Sequence, residues 1–240
     1  MGGRLDNTLV AKGLVRSRSQ AENYIKLGQV YVDGNVATKA GMFVNEAQML
    51  EVRQEVQYVS RAALKLASVA DKFQLNFNEK IVLDVGSSTG GFTDFALRGG
   101  AKKVIAVDVG TNQLHPTLLG DPRIDVHEQT DIRTFLQDRQ VIVDIVVIDV
   151  SFVSLREVLP FVASAVSKNT QIIAMVKPQF EAYANNLKHK GVIKNDRIRR
   201  DILKSFEEWI KKVFITIDKT DSAVAGDKGN LERFYLLKKK

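Results

Sequence analysis

The stretch Val82–Phe92, VLDVGSSTGGF, decides the fold. An apolar, β-branched run from Ile81 to Val85 carries an acid, Asp84, near its end and passes into a loop of Gly, Ser and Thr. Helical periodicity resumes from Phe92 to Arg98, so the order is strand, glycine loop, helix. In a parallel α/β sheet such a loop lies beyond the C-terminal strand end, where ligands bind. A P-loop would place Gly-Lys-Ser/Thr here. No Lys stands among these glycines, which argues against ATP or GTP hydrolysis. The glycines fall at Gly86, Gly90 and Gly91 rather than in the G-x-G-x-x-G spacing of a dinucleotide site, and Asp84 would repel a pyrophosphate.

Outward from this stretch, further apolar runs at Val104–Asp108, Ile124–His127, Val143–Asp149, Ile172–Lys177, Val213–Asp218 and Arg233–Leu237 read as strands. Helical patterns at Ser60–Phe73, Thr111–Leu119, Asp131–Gln137, Leu155–Val166 and Ile198–Lys211 alternate with them. The pattern predicts an α/β domain over residues 60–240, a Rossmann-like, mostly parallel sheet of seven strands covered on both faces. The last two strands are expected to be antiparallel, because no helical pattern joins them. Asp108, about 20 residues beyond the loop, would accept hydrogen bonds from a ribose diol. Asp84 would attract an ammonium, and Asp131 would reach an adenine amino group. Three acids at successive strand ends fit S-adenosyl-L-methionine, which joins an adenosyl group to an ammonium and a sulfonium. They weigh against a ligand-free structural turn and against a nicotinamide site.

Residues 1–55 read as a separate small α/β module. Leu5, Leu9, Val10 and Leu14 suggest a first helix. Ser17 or Ser19 would cap a second, with Gly28 as its stop. QVYVDG is a short strand entering an Asp33-Gly34 turn, QMLEV is another strand, and RQEVQ at 53–57 is the expected linker.

The chain has 240 residues, 45% of them apolar, which is enough for a substantial core. Its net charge of +7 suggests a polyanionic partner such as nucleic acid. There is no Cys, which excludes disulfides, thiolate metal sites and a Cys nucleophile. His115, His127 and His189 lack metal-ligand spacing, so no metal is expected. No signal-like start and no run of about 18 apolar residues is present, so a cytoplasmic protein without membrane association is expected.

Eight segments then carry a resemblance: RLD at Arg4–Asp6, SRSQA at Ser17–Ala21, YVSRAALKL at Tyr58–Leu66, LDVGSSTGGFTD at Leu83–Asp94, AVDVG at Ala106–Gly110, DVSFVSL at Asp149–Leu155, MVKPQFEA at Met175–Ala182 and GDKGNLERF at Gly226–Phe234. In this order they resemble the TlyA/haemolysin-A family, in which an RNA-binding module of the ribosomal-protein-S-four type precedes an FtsJ-like ribosomal RNA methyltransferase domain. Ala62-Ala63 stand where that family often has a Gly pair.

The resemblance implies S-adenosyl-L-methionine-dependent 2′-O-methylation of ribosomal RNA, with cytidine as the expected target and free RNA or ribosomal subunits as partners. It maps a catalytic Lys–Asp–Lys–Glu tetrad onto Lys65, Asp149, Lys177 and Glu232. Lys177 would accept the hydroxyl proton, Asp149 would orient it, and Lys65 and Glu232 would place the ribose. The cofactor set it implies is Asp84, Gly86, Ser87, Ser88, Thr89, Gly90, Gly91, Phe92, Asp108, Val109, Asp131, Ile132 and Asp149. The resemblance places the Arg4 and Ser17–Arg18 regions on an RNA face, and with the basic residues of the module and beyond it the expected RNA-binding set is Arg4, Arg16, Ser17, Arg18, Lys26, Lys39 and Arg61. A second basic stretch, Lys188, Lys190, Lys194, Arg197, Arg199 and Arg200, is a candidate RNA clamp or a solvated helix start. The alternatives are a membrane-active haemolysin and a non-catalytic RNA-binding ribosome-assembly factor. The absence of Cys and of an Asn/Asp-Pro-Pro-aromatic turn at Asp149–Phe152 disfavours transfer to pyrimidine C5 and to exocyclic amines.

Overall fold

The computed structural model describes residues 2–26, 28–52, 58–184, 192–193, 195–226 and 229–240. The chain divides into two compact units, Met1–Gln57 and Tyr58–Lys240. The expected linker at 53–57 lies outside the described residues.

The first unit runs β1 (Gly3–Arg4), α1 (Leu5–Ala11), α2 (Arg18–Lys26), β2 (Val30–Val32), β3 (Asn35–Val36), β4 (Phe43–Val44) and β5 (Leu50–Val52). Its core gathers Leu5, Leu9, Ala21, Tyr24, Ile25 and Val30. Ser17 caps α2, its Oγ accepting from Gln20 N at 3.2 Å. Asp33 and Gly34, both at positive φ, close the β2–β3 hairpin in two residues. Leu14 falls beyond α1, because Gly13 at φ 68° turns the chain out of the helix. The two-residue strands β1, β3 and β4 are too short to carry a legible alternation.

The second unit runs α3 (Arg61–Ala70), β6 (Ile81–Val85), α4 (Gly91–Arg98), β7 (Lys103–Val107), β8 (Ile124–His127), α5 (Ile132–Leu136), β9 (Ile145–Ile148), α6 (Leu155–Ala165), β10 (Gln171–Val176), α7 (Pro178–Ala184), α8 (Asp196–Ile210), β11 (Phe214–Asp221) and β12 (Arg233–Lys239). Seven strands form one sheet in the order β11-β12-β10-β9-β6-β7-β8. The strands β10, β9, β6, β7 and β8 are parallel, and β12 runs antiparallel to both its neighbours. Alternate residues of each strand feed two cores. Leu83, Val85, Val146 and Ile148 pack with α5, α6 and α8, while Val82, Ile145 and Val147 pack with α3 and α4. All four side chains of β9 are buried, which makes it the interior of the sheet. Each contributes up to about 1.5–3 kcal/mol by burial.

The helix expected at Thr111–Leu119 is absent; the segment is a series of turns. Pro116 has no amide hydrogen and disfavours a helical conformation in His115. Asn112 is left-handed, and the amides of Asn112, Gln113 and Leu114 donate to the Glu128 carboxylate instead of starting a helix. Conversely, α7 was not expected. Pro178 opens it, at the one helical position where its missing donor costs nothing.

Candidate active site

The sheet order places four charged residues at one edge. Asp149 follows β9, Lys177 follows β10, and Glu232 precedes β12, whose antiparallel direction brings its start to the same edge. Val176 and Arg233 are paired, so Lys177 and Glu232 stand at neighbouring strand ends, about 5 Å apart by strand spacing. Lys177 Nζ lies 2.6 Å from Asp149 Oδ1, with side chains 10% and 15% exposed. That contact lacks hydrogen-bond alignment; the bond from Lys177 Nζ goes to Ser151 Oγ at 2.8 Å. The fourth member comes from α3. Ala63, Leu66 and Val69 bury the helix face, and Lys65 beside them reaches Glu232 Oε2 at 2.7 Å. Glu232 is 2% exposed. Two amines and two carboxylates therefore meet as two close ion pairs along one rim.

Beside them lies a cleft of about 400 Å³ lined by Gly86, Ser88, Asp108, Val109, Asp131, Ile132 and Asp149 among others. Gly86 takes φ 80° and passes so close to the Asp149 carbonyl that a Cβ would lie 2.8 Å from it. Asp108 accepts from Ser88 N at 2.8 Å and Gly110 N at 2.7 Å, which braces the glycine loop and leaves a lone pair on each oxygen. Asp131 caps α5 and is held by Arg133, whose guanidinium keeps its carboxyl below the usual carboxylate range. Both Asp131 oxygens are engaged by Arg133, so an adenine amino group would have to share them.

The other expected cofactor residues stand outside this lining. Asp84 is fully buried; Thr93 Oγ1 donates to its Oδ2 at 2.7 Å, while Oδ1 has no partner. Burial, chiefly, pushes its carboxyl up to about 7, helped by the charges of Asp149 and Asp108 and opposed by Thr93. Ser87 is buried, and the Thr89 carbonyl accepts from His115 N. Gly90, at φ 86°, is covered by Leu114 and Leu118, whose atoms would lie 2.7 and 2.4 Å from a Cβ. Gly91 packs on Ser60 and Ala62, and Phe92 packs on Phe234 in the core. The donor set nonetheless fits S-adenosylmethionine. A buried carboxylate oxygen without a partner, and acids along a cleft of ligand size, suit a cation bearing a diol.

In the first unit Asp6 is fully buried and holds two of the expected RNA-binding arginines. Arg4 Nη2 donates to it at 2.8 Å and Arg18 Nε at 2.9 Å. Arg16 and Lys39 are exposed, Ser17 is the helix cap, and the Lys26 side chain lies outside the described residues. In the second unit Arg61 donates to the Ala225 carbonyl at 2.9 Å. Of the second basic stretch, Lys188, Lys190 and Lys194 lie outside the described residues, and Arg197 and Arg200 are exposed. Arg199 is not free to clamp RNA. It is spent on Asp221 at 2.6 Å, joining α8 to β11, with its side chain 11% exposed.

Residues 58–240 match the FtsJ-like methyltransferase family, and residues 3–50 match the S4 domain. The chain belongs to the FtsJ-like methyltransferase family. It is 37% identical to the 16S/23S rRNA (cytidine-2′-O)-methyltransferase TlyA of Mycobacterium tuberculosis, over 98% of this chain and 89% of that one. It is 36% identical to Hemolysin A of Brachyspira hyodysenteriae, over 95% of this chain and 97% of that one. A solved Streptococcus thermophilus protein named "Putative hemolysin" superposes with a TM-score of 0.70 at 34% identity, covering 100% of this chain and 89% of that one. Among the described residues no helix is long and apolar enough to cross a membrane, and no cluster of metal-ligating side chains occurs.

This FtsJ-like methyltransferase also has site residues that sequence reasoning missed. Arg133 and Gln113 line the cleft. Phe152 is 92% exposed at φ 66°, its ring 5.2 Å from that of Phe180. The signal for Phe152 was present in DVSFVSL, where an aromatic stands three residues after the strand-terminal acid. Burial raises the carboxyl of Glu181 on α7, against the pull of donors from Ser154, Leu155 and Arg156.

Proposed function

We propose that this chain transfers the methyl group of S-adenosylmethionine to the ribose 2′-hydroxyl of a ribosomal RNA cytidine. One observation carries the reading: Lys177 and Asp149, and Lys65 and Glu232, form two ion pairs at adjacent strand ends, on the rim of an acid-lined cleft. A hydroxyl nucleophile needs a proton acceptor and charges that steady its oxygen as it attacks. When bound, S-adenosylmethionine supplies an electrophilic methyl group. Lys177 accepts the hydroxyl proton as a neutral amine, after passing its own proton to solvent, Asp149 aims that amine, and the Lys65–Glu232 pair holds the ribose. Asp108 receives the cofactor ribose, and Asp149 supplies negative charge near the cationic end, joined by Asp84 once it gives up, beside a bound cation, the proton that burial holds there. Holding the two reactants together contributes the larger share of the rate. The S4 domain, with Arg4 and Arg18 oriented by Asp6, grips RNA phosphates and fixes position more than sequence.

The test is transfer of tritiated methyl from S-adenosylmethionine to ribosomal RNA and subunits. Label is expected in nucleotides whose 3′ linkage resists alkali, the signature of a blocked 2′-hydroxyl. Lys177→Met is expected to abolish transfer while cofactor binding persists. Label on a base, or wild-type turnover by Lys177→Met, overturns the reading.

A further inference from the structure

Glu181 is 1% exposed, yet none of the roles assigned above uses it. It lies on α7, four residues after Lys177. Its carboxylate crosses to the start of α6: Oε2 accepts from Ser154 Oγ at 2.7 Å, and Oε1 from Leu155 N at 2.7 Å. Arg156 stands 3.6 Å from Oε2 and runs on to Ser205 and the Trp209 ring of α8. The helix itself does not require this anion, because Ser154 already caps it, accepting from Arg156 N at 3.1 Å. A buried carboxylate is also a costly way to join two elements that apolar contact would join. What the bond closes is the loop between Asp149 and Ser154.

That loop lines the cleft through Val150, Ser151 and Phe152, and it borders Lys177. Ser151 receives the Lys177 hydrogen bond, and Phe152 presents its ring from a left-handed backbone that bulky residues rarely adopt. Such a conformation persists only where its surroundings impose it. Lys177, Phe180 and Glu181, successive along one turn, hold Ser151, Phe152 and Ser154 in turn. The cofactor end of the loop is anchored separately, through Asp149 N on the Val85 carbonyl at 2.9 Å. We propose that Glu181 is a positioning residue for methyl transfer: its buried bonds to Ser154 and Leu155 keep Ser151 and Phe152 in the conformation that receives the RNA nucleotide. The proposal rests on the reading of the site as an RNA methyltransferase.

The experiment measures methyl transfer to ribosomal subunits by the full chain, and cofactor affinity by calorimetry with S-adenosylmethionine. Glu181→Ala is expected to lower kcat by about tenfold or more while the cofactor Kd stays within about threefold of wild type. Glu181→Gln keeps an acceptor for Leu155 N and a polar partner for Ser154, and is expected to restore most of the rate. In a Ser154→Ala background, Glu181→Ala should cost less than it does alone, because half of its contact is already gone. A folded Glu181→Ala protein with wild-type kcat overturns the proposal. So does a cofactor affinity that falls in proportion to kcat, the mark of a general structural role. If Glu181→Ala fails to fold, Ser154→Ala carries the same expectation at about threefold, and wild-type kcat there overturns the proposal equally. Wild-type protein that transfers no methyl group to any RNA refutes the function itself. An active wild type alongside an equally active Glu181→Ala refutes only the role of Glu181.

Discussion

Removing one partner of the Lys65–Glu232 pair should cost more stability than removing both. The two groups are 2.7 Å apart, with side chains 11% and 3% exposed. At an effective dielectric near 20 their attraction is roughly 6 kcal/mol. Stripping water from each ion costs several kcal/mol, so the intact pair adds little net stability. A lone survivor keeps the dehydration cost without the attraction, a loss of about 3–5 kcal/mol. Glu232 cannot easily swing into water, because Gly226 lies so close to its Oε1 that a Cβ there would sit 2.9 Å away. Lys65→Met and Glu232→Gln are therefore each expected to cost about 3–5 kcal/mol, and the double variant less than either, which is at least about 3 kcal/mol below the sum. Urea unfolding followed by fluorescence measures this directly. The chain has one Trp, Trp209 on α8, so the signal comes from the methyltransferase unit. Single losses below about 1 kcal/mol, or losses additive within about 0.5 kcal/mol, would refute the reasoning. Methyl transfer should stay abolished in the double variant despite its recovered stability, which separates the chemical role from the structural one.

Other expectations follow from the same geometry. The Asp84 carboxyl, raised to about 7 in the folded state from an ordinary value of about 3.9, holds a proton there that the unfolded chain has released. Stability should then fall as pH rises from about 4 to about 7, and Asp84→Asn should flatten that slope, read from urea midpoints at pH 5 and pH 8. Asp6, fully buried between two guanidinium groups, is held well below the ordinary carboxylate range, so its stabilisation is present above that range and fades as pH falls through its depressed value. Asp6→Ala should weaken ribosomal RNA binding about tenfold and reduce its salt dependence, with transfer at saturating RNA retained; unchanged binding would show that Arg4 and Arg18 do not act as an oriented pair. Phe152→Ala should leave the unfolding free energy from urea titration within about 0.5 kcal/mol of wild type, since the ring is 92% exposed, while lowering methyl transfer about tenfold. Full activity would remove the ring from the acceptor site.

How far these features could be read in advance depended on the distance over which each is determined. The seven strands were legible because each is a short apolar run bounded by breakers, and Asp149, Lys177 and Glu232 drew notice because they stand beside strand ends, whereas Lys65, inside α3, was grouped with them as a tetrad only through the family resemblance. The false helix at Thr111–Leu119 had good local periodicity and lost to Glu128, a residue distant in sequence whose carboxylate claims the amides that would begin it. Glu181 was invisible for the same reason, since its donors lie 26 and 27 residues earlier. The glycine loop was half legible. Its spacing announced close approach, but periodicity cannot say who approaches: Leu114 and Leu118 fill the space over Gly90, and a backbone carbonyl fills the space beside Gly86.

Strand direction explains the remaining asymmetry. A parallel strand delivers its chemistry just after its last residue, which is where Asp149 and Lys177 stand. The antiparallel β12 passes the same rim at its beginning, so a carboxylate meant for that rim must precede the strand. Glu232 does, and a carboxylate placed after β12 would lie at the opposite edge of the sheet, beyond the reach of Lys65. Reading strand polarity before assigning site residues therefore converts a loose cluster of charges in the sequence into a defined rim. By the same rule β11, antiparallel to β12 and so parallel to β10, also ends at this rim, where its last residue, Asp221, is taken up by Arg199 and Arg233.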